Sequence, residues 1–116
     1  GSLHDMIDDL HERVPDAKEF GKIEDTVLAV GALLNGEPPL KLTYLNKEFG
    51  SKLAAVWDDV VVGMERSVEF LRDEGIFNEK LLRYGLVYQT MVLTKKVGRV
   101  QSLERQFGGL ALLIGI

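Results

Sequence analysis

Between Leu53 and Leu71 the apolar residues Leu53, Trp57, Val60, Met64, Val68 and Leu71 follow one another at intervals of 4, 3, 4, 4 and 3. Each step along an α-helix turns the chain by about 100°, so this spacing gathers all six side chains on one face. Asp58, Asp59, Glu65, Glu69, Arg72 and Asp73 lie mostly off that stripe. The pattern predicts one amphipathic helix over 51–74, capped by Ser51 and stopped at Gly75. The run Val60-Val61-Val62 is a mild strand signal, but the long period outweighs it. A helix of this kind must bury its stripe, and the remaining segments have to supply the surface it packs on.

Those segments also read as helices. Leu3, Met6, Ile7, Leu10 and Val14 recur at helical spacing, so a first helix is expected from Leu3 to Arg13. Ser2 can cap it, and Pro15 ends it by forcing the preceding residue out of the α region. A second helix is expected to start near Asp16, with Asp16 and Glu19 as a capping box. Gly21 breaks or kinks it, and Ile23, Val27, Val30 and Leu34 form its stripe before Asn35-Gly36 stops it. Glu37-Pro38-Pro39 reads as an extended linker. Leu40 to Thr43 alternates like a strand but is too short to build a sheet, so a loop is expected there, leading into a helical turn over Tyr44 to Phe49. A last long helix begins after Asn78, its apolar face spanning Leu81, Leu82, Gly85, Leu86, Tyr88, Met91 and Val92. A face that wide suits a central helix. Val100 to Phe107 adds a short amphipathic piece, interrupted by Gly108-Gly109.

The fold class follows: all-α, with four to five helices in a bundle-like or orthogonal array. With 116 residues, 46% of them hydrophobic, the chain makes one domain with a core of its own. Gly1-Ser2 reads as a cloning scar, which leaves residues 3–116 as a single helical domain, expected to be a piece of a longer protein. The apolar run Leu110 to Ile116 supports that expectation, because such a surface calls for cover. There is no cysteine, which excludes disulfides and thiolate chemistry and fits a cytoplasmic setting. No apolar run approaches the roughly 18 residues of a membrane span, so no membrane partner is expected.

No catalytic constellation emerges. His4, Asp8 and His11 share a helix face, which is metal-ligand spacing in principle, but a solvated face is the plainer reading and no metal or other cofactor is expected. Asp58 and Asp59 point about 100° apart, and Glu65 with Glu69 read as surface charge. No nucleophile elbow surrounds any serine, and no glycine run has phosphate-loop spacing. Trp57 belongs to the stripe and is expected in the core. Tyr84 and Tyr88 share a face; hydroxyls presented at a groove are one reading, but core packing with polar tips is the default expectation.

Charge is uneven. Residues 1–77 carry 8 Lys/Arg against 16 Asp/Glu, a net of −8, whereas residues 78–116 carry 6 against 2, a net of +4. The basic set Lys95, Lys96, Arg99 and Arg105 is the candidate contact for an anion or a nucleic acid, although neutralisation by the acidic helices of the same chain is the simpler expectation. The apolar set Leu110, Leu112, Leu113, Ile114 and Ile116 is the candidate surface for joining a second copy.

Three stretches carry a family resemblance: Tyr44-Leu45-Asn46-Lys47-Glu48-Phe49; Trp57 through Phe70-Leu71; and Gly75-Ile76-Phe77-Asn78-Glu79-Lys80-Leu81-Leu82-Arg83-Tyr84. Together they resemble the helical part of GmrSD-type modification-dependent restriction proteins, which have a ParB/sulfiredoxin-like N-terminal domain. Arg83 stands where that family commonly has proline. The family's Asp-Gly-Gln-Gln-Arg segment and a His-Asn-His motif are absent, so no catalytic residue carries over. The resemblance implies a non-catalytic accessory or scaffold domain of a larger nucleic-acid-processing or phage-defence protein, its partner being the remainder of that protein. A self-associating protein–protein interaction module is the alternative.

Overall fold

The computed structural model describes residues 2–93, and within them every regular element is helical. The elements are α1 (Leu3–Arg13), a 3-10 helix (Pro15–Phe20), α2 (Glu24–Leu34), α3 (Lys41–Tyr44), α4 (Phe49–Ala55), α5 (Trp57–Asp73) and α6 (Glu79–Leu93). These described residues alone hold seven helical segments, against the four to five expected of the chain. The surplus arises where expected helices divide.

α1 has the expected bounds. Ser2 Oγ accepts from the Asp5 amide at 3.3 Å and Asp5 Oδ2 accepts from the Ser2 amide at 3.4 Å, so the two close a capping box. After Val14 the chain does not begin the expected capping box at Asp16. Pro15 instead opens a 3-10 helix, and Gly21, at φ 85°, ends it. Asp16 and Glu19 turn to Arg72 of α5, at 2.9 and 3.8 Å. A helix-start signal was thus an ion-pairing one. The stripe Ile23, Val27, Val30 and Leu34 is wholly buried. α2 ends where Asn35-Gly36 predicts, in a Schellman turn: the Glu37 amide reaches Ala32 O at 2.9 Å and the Gly36 amide reaches Leu33 O at 3.1 Å.

The helix expected over 51–74 is two helices. The backbone leaves helical geometry at Val56, with φ −111° and ψ 10°, and divides α4 from α5. Ser51 lies inside α4 rather than capping it. The physical reason is that the stripe serves two partners. Leu53 packs on α2, so close that a Cβ on Gly31 would stand 2.7 Å from its Cδ1. Val60, Met64, Val68 and Leu71 are buried on α5, whose most extensive packing is with α6. α5 then closes in a second Schellman turn at Gly75, the Ile76 amide bonding Leu71 O at 2.8 Å. Asn78 Oδ1 accepts from the Leu81 amide at 3.1 Å at the start of α6.

α6 is central, as its wide apolar face predicts. It packs on both α5 and α2, and Leu82, Leu86 and Val87 are buried. The α5–α6 seam is tight because Gly63 lacks a side chain: a Cβ there would meet Thr90 Oγ1 at 2.5 Å and Leu86 Cδ1 at 3.2 Å. The buried hydroxyls of the seam donate within their own helices, Ser67 to Gly63 O at 2.8 Å and Thr90 to Leu86 O at 2.6 Å. Trp57 is only partly buried. It packs against the core while its indole N–H donates to Asp9 Oδ2 at 2.8 Å, tying α5 to α1. That hydrogen bond, aided by Arg13 and opposed by desolvation, lowers the Asp9 carboxyl from its ordinary value, so the acceptor is ionised at neutral pH.

Candidate functional site

A groove of about 580 Å³ opens between α2, the segment from Pro39 to Tyr44, and α6. Each element contributes for a local reason. α2 turns Ala29 and Leu33 to the groove as an apolar wall, with Asp25 a turn earlier. Pro39 and Tyr44 close one side. The Tyr44 ring packs against Phe49 in a tilted pair, 60° between planes and 5.3 Å between centroids, which holds the phenol in place. α6 supplies Glu79, Lys80, Arg83 and Tyr84, two i,i+4 pairs on adjoining faces. In one pair Arg83 Nη2 lies 3.6 Å from Glu79 Oε1. In the other the Lys80 ammonium lies 5.9 Å from the centre of the Tyr84 ring.

The electrostatics are balanced in number but not in engagement. Two acids and two bases line the groove. Glu79 Oε1 also accepts from the buried Thr26 hydroxyl at 3.2 Å, so this carboxylate is held from two sides. Arg83 Nε is buried and has no acceptor. Burial raises the Tyr44 phenol above its ordinary value; Arg83 pulls it down and Asp25 pushes it up. The hydroxyl is therefore protonated at neutral pH and can donate. The groove can thus offer directed N–H and O–H donors beside an apolar wall.

The short helix Lys41–Tyr44 and its two caps, Leu40 and Leu45, carry a second feature. Leu40, Leu42 and Leu45 are 57%, 82% and 70% exposed, whereas Thr43 between them is buried. Of the described residues, these three form the densest run of exposed large apolar side chains; Val62 and Phe77 stand apart from them.

The residues singled out from sequence are distributed otherwise. Lys95, Lys96, Arg99 and Arg105, and Leu110, Leu112, Leu113, Ile114 and Ile116, lie outside the described residues. His4 Nε2 is 3.4 Å from Asp8 Oδ2 with both side chains mostly exposed, while His11 has its Nε2 buried without a partner. Among the described residues no group of three or more His, Cys, Asp or Glu is placed to hold a metal ion. Asp58 pairs with Arg13 at 3.2 Å, and Glu65 and Glu69 are exposed. Tyr84 lines the groove, rather than following the default expectation of core packing. Asp25, Tyr44, Glu79, Lys80 and Arg83 were not singled out as a site. The spacing 79/83 and 80/84 was a usable signal for α6, but nothing in sequence joins it to Tyr44.

No helix of the described residues is long and apolar enough to cross a membrane. No family model matches the chain, and comparison with curated proteins and with solved structures found no match either.

Proposed function

We propose that this chain is a non-catalytic helical accessory domain, bundle-like in build, that docks onto the rest of a larger cytoplasmic nucleic-acid-processing or phage-defence protein. The exposure of Leu40, Leu42 and Leu45 within six residues carries this reading. Apolar surface concentrated in this way is what a protein face covers. Charge favours a protein occupant over a phosphate backbone at this surface. Residues 2–93 hold 10 Lys/Arg and 17 Asp/Glu, so the described part has a net charge of −7 and repels nucleic acid. The occupant is accordingly an apolar patch with a basic rim, belonging to the remainder of the parent protein.

The nature of the parent rests on the resemblance to GmrSD-type proteins. Its matching stretches are the turn at Gly75 and the opening of α6, together with α5 and Tyr44 to Phe49. Any contact with nucleic acid belongs in this reading to Lys95, Lys96, Arg99 and Arg105.

Titration calorimetry between this chain and the remainder of the parent, produced separately, tests the reading. Leu42→Glu/Leu45→Glu should weaken binding about a hundredfold, the loss expected when two leucines no longer enter an apolar contact. Both side chains are exposed, so helix content should be unchanged. Absence of binding, or equal binding by the variant, removes the proposal. A chain that dimerises by itself, and ceases to do so in the variant, would assign the leucines to self-association instead.

A further inference from the structure

The groove itself, apart from the leucine face, has the makings of a ligand site. We propose that it binds a small amphipathic carboxylate, with the apolar body along Ala29 and Leu33 and the carboxylate on Arg83. The volume, about 580 Å³, falls within the range of small-molecule sites. The wall formed by Ala29, Leu33 and Pro39 offers nothing polar from a side chain, so a ligand must bring apolar surface to it.

The polar side asks for an acceptor. Arg83 Nε is buried and unpartnered, and a guanidinium only donates. Its nearest carboxylate, Glu79, is approached through Nη2 at 3.6 Å and is also engaged by the Thr26 hydroxyl. That contact is too long for a good hydrogen bond and leaves Nε without an acceptor. The Arg83 side chain is 35% exposed, and its two terminal nitrogens present a fork that a planar, bidentate ligand carboxylate matches. Tyr44 adds a protonated hydroxyl in the same electrostatic neighbourhood, since Arg83 and Asp25 both act on it.

The charge balance narrows the class further. Asp25 and Glu79 offset Lys80 and Arg83, so no net field draws in a multiply charged anion such as a phosphate or a nucleotide. A monoanion with an apolar body meets the available donors without overwhelming the two acids.

The test is an amide-detected NMR titration of the full chain with 4-phenylbutyrate, 4-phenylbutan-1-ol, 4-phenylbutylamine and inorganic phosphate. The carboxylate should shift the amides of Ala29, Leu33 and Arg83. The alcohol and the amine should bind about tenfold more weakly or worse, as expected for loss of a charge-assisted pair. Phosphate should leave those amides unmoved. Arg83→Gln should reduce carboxylate affinity by about the same factor and bring it level with the alcohol. Equal binding of carboxylate and alcohol by the unaltered chain would overturn the proposal whether or not the variant folds. So would the absence of any shift at millimolar carboxylate, or stronger shifts with phosphate.

Discussion

Replacing Gly63 with valine is expected to destabilise the chain by about 3 kcal/mol, at the upper end of what over-packing a core costs. Alanine first shows the balance of effects. It would gain roughly 1 kcal/mol of helix propensity over glycine. Its Cβ would also stand 2.5 Å from Thr90 Oγ1 and 3.3 Å from the Thr90 backbone nitrogen. The hydroxyl cannot swing away freely because it is bonded to Leu86 O at 2.6 Å. The backbone nitrogen cannot move unless α6 moves with it. Over-packing of about 1–3 kcal/mol therefore exceeds the propensity gain, and alanine should be a net loss of about 1 kcal/mol. Valine adds two methyl groups at the same seam and forfeits most of the propensity gain, because its β-branch restricts χ1. Thermal unfolding should show a fall on the order of 15 °C. Val62, next in sequence but on the exposed side of α5, provides the control: Val62→Ala should change stability by no more than about 0.5 kcal/mol.

Truncating Leu86 to alanine should cost about 3 kcal/mol, within the range for fully buried leucines. Leu86 is 0% exposed and lies on the central helix, between α5 and α2. Its loss leaves a void that neither neighbour can fill without shifting the seam. The two sites are also coupled, because Leu86 Cδ1 lies 3.2 Å from where a Cβ on Gly63 would stand. The combination Gly63→Ala/Leu86→Ala should therefore lose less than the sum of the single changes, by about 1 kcal/mol. Strict additivity in denaturant unfolding would mean that the two helices do not meet as described.

The legibility of this fold tracks how local its signals are. α1, the stripe of α2 and both glycine turns were legible because capping oxygens, helical spacing and positive-φ glycines act within a few residues. The break at Val56 was not legible. The period runs unbroken across it, and the change of partner along the stripe, from α2 at Leu53 to α6 for most of the residues beyond, is a tertiary feature that spacing does not carry. Asp16 misled for a related reason. An acidic side chain after proline suits a helix start and a distant arginine equally well, and the fold brings Arg72 to it. The groove was half legible: the α6 residues share a face by spacing, but Tyr44 joins them only through the turn after Pro39. Leu40 and Leu42 fell in an expected loop and Leu45 in an expected helical turn over Tyr44 to Phe49, whereas the helix lies at Lys41–Tyr44; alternation over four positions carries little information.

Hydrogen exchange of the backbone amides from Leu40 to Leu45, compared between this chain alone and the same chain within the longer protein proposed as its parent, tests the docking reading. Exchange should be rapid in the isolated chain and markedly slower in the parent, with the amides of α5 equally slow in both. Identical exchange at those six positions in the two settings would contradict that reading.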